Sequence, residues 1–268
     1  MVSNGTLGLI AGRGELSRIV CETAKKRGVP VSAVAFDAGT AKQIQNLADV
    51  KFLGLGQADT VINRFKDAGV RDVCLIGKIE KKLVFNKINF DLRGLKVMKK
   101  LMSKSDTDIM LAIIEELENE GFEVAKQSDW LPELLVEKGT LGNKKPAKNV
   151  LGDFEFGLGI CRELASKDIG QIVVIKDGVV LAVEAVEGTN AAIERGCRLG
   201  GKGAVMVKTS RPNQDFRFDI PSVGPDTVRL LADHKAAGLA IEATRTLVIN
   251  LPETISICNR AGIVFAAM

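Results

Sequence analysis

Apolar residues fall in short continuous blocks along the first half of the chain. Residues 6–11 form one block, Thr-Leu-Gly-Leu-Ile-Ala, of the length of a buried strand. Gly12-Arg13-Gly14 ends it. From 15 to 27 the apolar positions shift to Leu16, Ile19, Val20 and Ala24, the spacing of one helix face, and Gly28 stops the run. Further blocks at 31–36, 51–55 and 72–76 read as strands, with a helical stretch at 59–68 that Gly69 closes. Strands rich in Val, Ile and Leu, alternating with helices, predict a parallel sheet covered on both faces. The expected fold class is α/β, with a Rossmann-like N-terminal domain of about four strands.

The second half opens with helical spacing at 154–166. Two β-blocks follow, 171–176 and 179–183, joined by Asp177-Gly178. Asp-Gly between such blocks predicts a type I′ hairpin, because both central residues of that turn need positive φ. Helices at 189–198, 225–236 and 252–260, and strands at 204–208, 239–242, 246–249 and 262–265, complete a second α/β domain. Residues 139–152, with Gly-Asn-Lys-Lys-Pro-Ala-Lys inside them, have the composition of a linker. The reading is thus a domain over 1–138, a linker over 139–152, and a C-terminal domain over 153–268 carrying most of the catalytic residues.

Composition narrows the chemistry. The 268 residues contain one His and no Tyr. One imidazole excludes di-His zinc motifs, His-rich two-metal phosphoesterases and three-His cages. A Ser-His-Asp arrangement would have to run through His234, and no G-x-S-x-G elbow accompanies it. His234 itself reads as a solvated or helix-end residue. A working metal would therefore be oxygen-ligated, which means Mg²⁺ or Mn²⁺. Five scattered cysteines, without C-x-x-C spacing, predict buried thiols in a reducing compartment. With no targeting or spanning run, the chain is expected to be cytoplasmic. A net charge of +4 suits phosphate-bearing partners, while 4% aromatics argue against nucleic acid.

Charge is unevenly placed. From Lys78 to Lys104 the chain is strongly basic, and an acidic run follows it from Asp106 to Glu123. These read either as complementary solvated helix faces or as a basic rim for an anionic ligand or membrane surface. Trp130 is expected to pack as an anchor between the domains.

Candidate chemistry lies at two places. Gly8, Gly12 and Gly14 at the first strand-to-helix turn could admit a phosphate, with Asp37 where a ribose-binding acid would stand. The order G-x-x-x-G-x-G departs from the dinucleotide fingerprint, so a nicotinamide oxidoreductase and a merely tight turn both remain open. The denser set is in the second half. Five carboxylates (Glu184, Glu187, Asp215, Asp219, Asp226) and three cations (Lys208, Arg211, Arg217) crowd strand ends and helix starts. Together they suit a divalent ion beside a phosphate. Taken singly, Asp226 is equally a first-turn acid and Thr189 a helix cap.

Several segments carry a resemblance. Leu7-Gly-Leu-Ile-Ala-Gly-Arg-Gly-Glu-Leu16, Asp91-Leu-Arg-Gly-Leu95, Asp168-Ile-Gly-Gln171, Val183-Glu-Ala-Val-Glu-Gly-Thr189, Lys208 through Pro221 and Gly224-Pro-Asp-Thr227 occur in order along nearly the whole chain. They resemble the histidine-poor UDP-2,3-diacylglucosamine pyrophosphatases of lipid A biosynthesis, the family distinct from the calcineurin-like enzymes. The resemblance implies two α/β domains holding a lipid between them, and water attack at the α-phosphorus. The products implied are UMP and 2,3-diacylglucosamine 1-phosphate (lipid X), and a divalent cation is required. It places the essential acid at Asp226, with Asp219 as the competing position.

On that basis the catalytic set is Asp226, Asp219, Lys208 and Arg217. The substrate-binding set is Gly12, Gly14, Glu187, Gly188, Thr189, Asn190, Arg211, Gln214 and Thr227. The metal set is Asp226, Asp219, Asp215 and Glu184, with Mg²⁺ or Mn²⁺ as cofactor. A homodimer with peripheral contact to the inner membrane surface is expected. Two departures stand out: Ser17 replaces an expected Pro, and Asn190 an Asp, which bears on ion affinity. Asn190 also leaves open a non-catalytic lipid or nucleotide carrier of the same fold.

Overall fold

The computed structural model describes residues 5–54, 56–78, 91, 93–94 and 106–268. Most of the basic run between Lys78 and Lys104, and Leu92 and Leu95 of the Asp91-Leu-Arg-Gly-Leu95 motif, lie outside the described residues. The chain divides into two compact units. The first is Met1–Leu131 with Phe216–Phe218, and the second is Pro132–Asp215 with Asp219–Met268.

In the first unit, β1 (Thr6–Ala11), β2 (Val31–Ala35), β3 (Asp49–Phe52), β4 (Val70–Ile76) and β5 (Glu123–Val124) form one parallel sheet in the order β3-β2-β1-β4-β5. The α/β class with a parallel sheet is as the apolar blocks predict. The fifth strand has only two residues, too few to register as a block. Helices α1 (Leu16–Lys26), α2 (Ala38–Ile44) and α3 (Ala58–Asp67) connect the strands. Helix α2 has no apolar stripe to betray it; Asp37 starts it by accepting from the amides of Gly39 and Thr40. Phe65, fully buried, meets Phe122 edge-on at 6.0 Å in the core.

Two further observations concern this unit. The described part of the Asp91 motif serves the fold: Asp91 accepts from the amides of Asp59 and Gly94, each at 2.7 Å. Arg93 pairs with Asp59, Glu116 and Glu120, so part of the charge alternation is resolved as complementary faces. Trp130, at the end of the short helix α5 (Gln127–Trp130) that follows α4 (Asp106–Asn119), is buried within this unit. The Arg27 guanidinium lies over its ring at 5.2 Å.

The second unit is built on a six-stranded sheet. Its strands are β6 (Gly139–Thr140), β7 (Ile172–Lys176), β8 (Val179–Val183), β9 (Val205–Lys208), β11 (Gly238–Ile241) and β13 (Val264–Ala267), in the order β6-β13-β11-β9-β7-β8. The central β9, β11 and β13 are parallel, and β6 and the β7–β8 hairpin join antiparallel. The hairpin turns at Asp177 (φ 50°) and Gly178 (φ 76°), both positive as a type I′ turn demands. The buried Asp153 carboxylate accepts from both turn amides, at 2.9 and 2.7 Å.

Helices α6 (Lys148–Ser166), α7 (Thr189–Gly200), α8 (Pro225–Asp233) and α9 (Leu251–Ala261) accompany this sheet, and β10 (Ser222–Val223) pairs with β12 (Leu247–Val248) apart from it. Residues 139–152 hold β6 and the first turn of α6. His234 caps the C-terminal end of α8, and all five cysteines are buried and unpaired with one another.

Candidate active site

Parallel strands end on one side of a sheet, and residues just past those ends face a common space. In the second unit β9 ends on Lys208, and β11 is followed directly by Glu242. The amide of Glu242 donates to Lys208 O at 3.0 Å, so the two ends are in register. Lys208 is buried, and its Nζ donates to the carbonyl of Ser222 at 2.8 Å. Burial pushes its pKa below the ordinary lysine value, against the opposing pull of Glu184 and Asp219.

The polar loop after β9 then bends back on itself. Arg211 places its guanidinium between Asp168 (2.6 Å) and Asp219 (3.2 Å). Both aspartates are left-handed, with φ of 56° and 55°, a conformation uncommon outside glycine and tolerated best by short polar side chains. Gln214, buried, donates from Nε2 to Asp219 O at 2.9 Å and accepts from Gln171 at 3.4 Å. Glu184 closes the group: its carboxylate accepts from the Thr189 hydroxyl at 2.7 Å and from the Gln171 amide at 3.0 Å. Gly170 is required here, since a Cβ on it would lie 2.0 Å from Glu184 O.

The structure thus gathers Lys208, Arg211, Gln214, Asp219, Glu184 and Thr189 from the expected set. Thr189 is the first residue of α7, not its cap, because Gly188 (φ 81°) holds that position. Other expected residues stand apart from this network. Asp226 is in the first turn of α8, almost fully exposed, and accepts from Arg229 at 2.7 Å; Thr227 follows it in the same turn. Glu187 pairs with Arg195 at 2.6 Å, and Asn190 is exposed on α7. Asp215 is the last residue before the chain joins the first unit. Arg217 belongs to that unit, where it pairs with Glu118 at 2.8 Å.

Gly12 and Gly14 are also in the first unit. The Gly12 amide donates to Ile76 O (2.7 Å), and Arg13 and Lys78 exchange two backbone bonds of 2.9 Å. A Cβ on Gly12 would lie 2.7 Å from the Gly77 carbonyl carbon. Glycine here lets β1 and β4 ends touch, the tight-turn reading of the motif. Asp37, the other residue of the nicotinamide reading, is the α2 cap, and its bond with the Thr40 hydroxyl holds its carboxyl below the ordinary range.

Residues 6–134 match the LpxI N-terminal domain and residues 137–266 the LpxI C-terminal domain. The chain belongs to the LpxI family. It is 31% identical over 271 residues to the UDP-2,3-diacylglucosamine pyrophosphatase LpxI of Caulobacter vibrioides, covering 96% of this chain and 95% of that protein. Likeness to solved structures is slight. A Stenotrophomonas maltophila UDP-glucose-4-epimerase with bound NAD and formylated UDP-arabinopyranose gives a TM-score of 0.31 at 12% identity, over 44% of this chain and 35% of that one. An ADP complex of purK, N5-carboxyaminoimidazole ribonucleotide synthetase, gives 0.29 at 13% identity, over 74% and 45%. Neither bears on function.

Within this LpxI-family chain, sequence reasoning missed Asp168, Gln171, Ser210, Glu242 and Arg245 as members of the strand-end network. Asp168 and Gln171 belong to the Asp168-Ile-Gly-Gln171 segment, where residue type alone marks no chemistry. Glu242 ends a predicted strand, the one signal that could have drawn attention to it. Among the described residues no group of three or more His, Cys, Asp or Glu gathers as an ion would require, and no helix is long and apolar enough to cross a membrane.

Proposed function

We propose that this chain hydrolyses the pyrophosphate bond of UDP-2,3-diacylglucosamine, giving UMP and 2,3-diacylglucosamine 1-phosphate. One observation carries the reading: both halves match LpxI domains in order, and a relative named for that activity aligns over nearly its full length. The chemistry at the strand ends agrees with it. Hydrolysis of a pyrophosphate diester builds negative charge on phosphoryl oxygens, and fixed cations stabilise that charge best where water is scarce. Lys208, held in a buried position, and Arg211, held from both sides, are the two cations for that role.

Water must also be oriented or deprotonated by a carboxylate. Asp226 takes this role in the proposal on the strength of the resemblance; both candidate acids are paired with an arginine, Asp226 with Arg229 and Asp219 with Arg211, and Asp226 is the more exposed of the two. A Mg²⁺ or Mn²⁺ requirement is part of the reading, on the strength of the resemblance. Three of the four acids assigned to it are already engaged and do not fit an ion as placed: Glu184 is bound to Thr189 and Gln171, Asp219 to Arg211, and Asp226 to Arg229. No step is therefore assigned to a cation. Homodimerisation and peripheral contact with a membrane surface belong to the same proposal.

The test is UMP release from UDP-2,3-diacylglucosamine by the full chain. EDTA is expected to stop it and Mg²⁺ or Mn²⁺ to restore it. Activity that persists in EDTA would remove the cation from the reaction; absence of UMP under every condition would overturn the substrate.

A further inference from the structure

The Arg211 loop is held by residues that lie outside the predicted site set. Glu242 is only 8% exposed, yet it carries a full set of partners. Its Oε2 accepts from the Ser210 amide at 3.0 Å and the Ser210 hydroxyl at 2.8 Å. Its Oε1 accepts from Arg162 of α6 through Nε (3.1 Å) and Nη2 (2.8 Å). Arg245 closes the far side. Its Nε donates to the Ser210 hydroxyl at 2.6 Å and its Nη2 to Arg211 O at 2.9 Å.

The backbone on either side of Ser210 is bound as well. Thr209 donates to Gln171 O at 3.0 Å, and Gln214 donates to Arg211 O at 3.1 Å. An arginine side chain has high rotamer entropy, so its placement depends on where the backbone starts it. Here that start is fixed from two sides, by Glu242 and by Arg245, through charge-assisted bonds, the strong kind. A carboxylate buried among polar partners, beside a phosphate-binding candidate, has no need to be there for packing alone.

We propose that Glu242, acting with Ser210 and Arg245, is a positioning residue that fixes the strand-end loop and thereby aims Arg211 at the substrate phosphate. The inference rests on the hydrolase reading given above. It concerns a residue that contacts Arg211 only through the loop.

The experiment is a double-mutant cycle on kcat/KM in the full chain, with Glu242→Gln, Arg211→Ala and the pair. Glu242→Gln alone is expected to lower kcat/KM by roughly tenfold, the scale of a charge-assisted bond. In the Arg211→Ala background it should change kcat/KM by less than about twofold, because its effect passes through Arg211. Full, independent losses in both backgrounds would overturn the proposal and leave Glu242 a structural acid. Arg245→Gln, a change nearer the surface, runs the same cycle if Glu242→Gln yields too little folded protein. Should the wild type release no UMP, the substrate reading fails by itself, and the cycle is read on UMP affinity by calorimetry. Coupling there upholds the role of Glu242; additivity, or no measurable UMP affinity in the wild type, overturns it.

Discussion

Two sets of carboxyl ends in this chain, each belonging to neighbouring parallel strands, are finished in opposite ways. At the ends of β1 and β4, Gly12 and Gly77 bring the backbones into contact, and the exposed amides and carbonyls are consumed by bonds from Gly12, Arg13 and Lys78. At the ends of β9 and β11, Lys208 and Glu242 stand instead, and long charged side chains spread the region into a network reaching Asp168, Arg211 and Asp219. Topology offers the location, but residue size and charge decide what is built on it. Glycines close a strand end with backbone bonds, whereas a buried lysine and glutamate leave side chains to do chemistry.

Three measurements separate these descriptions. The largest effect is expected from Asp226→Ala, in the same unit as the charged strand ends. Losing a carboxylate that activates water costs on the order of a hundredfold or more in turnover. UMP release should vanish while lipid-substrate binding persists, and near-normal turnover would remove Asp226 from the reaction. Gly77→Ala should come next. Its added Cβ would lie 2.5 Å from Gly12 O at a φ of +87°, an overpacked and strained position that costs about 1–3 kcal/mol. The denaturation midpoint should report it; a larger effect on KM would move the glycine turn into the substrate site.

The smallest effect is a trend with pH. Burial pushes the Glu242 carboxyl up, but the Ser210 amide and hydroxyl and Arg162 together hold it below the ordinary range. A carboxyl lowered on folding stabilises above its unfolded value, near 4.3 for glutamate, and that stability is lost as pH falls through the folded value. The stability gap between wild type and Glu242→Gln should therefore be widest at neutral pH and narrow on acidification below about pH 5. A gap that widens instead would mean Glu242 is not held as an anion.

Local rules explain which parts were legible. The strand from Thr6 to Ala11 and the helix after it follow from hydrophobic period, and both form with the bounds expected to within a residue or so. Asp177-Gly178 announced its hairpin because the turn needs two positive φ values in adjacent residues. Helix α2 escaped notice, since its start depends on a cap and not on an apolar stripe. At the candidate site, clustering in sequence served Lys208, the last residue of β9, and Arg211, Gln214 and Asp219 in the loop that follows it. Arg217, two residues from Asp219, falls with Phe216–Phe218 in the first unit and pairs there with Glu118, a placement that local sequence does not announce.

By itself the sequence determined the α/β class, the order of most elements and the segment in which chemistry concentrates, because each depends on periods, turns and residue types acting over a few positions. The resemblance added a substrate class. Tertiary structure alone decided that Glu242 would hold Ser210, 32 positions away, and that Arg211 would lie between Asp168 and Asp219, with Asp168 43 positions away. Those choices depend on which strands become neighbours in the sheet. Burial then removes water from around the charges, so that each must find a partner wherever the fold has placed one.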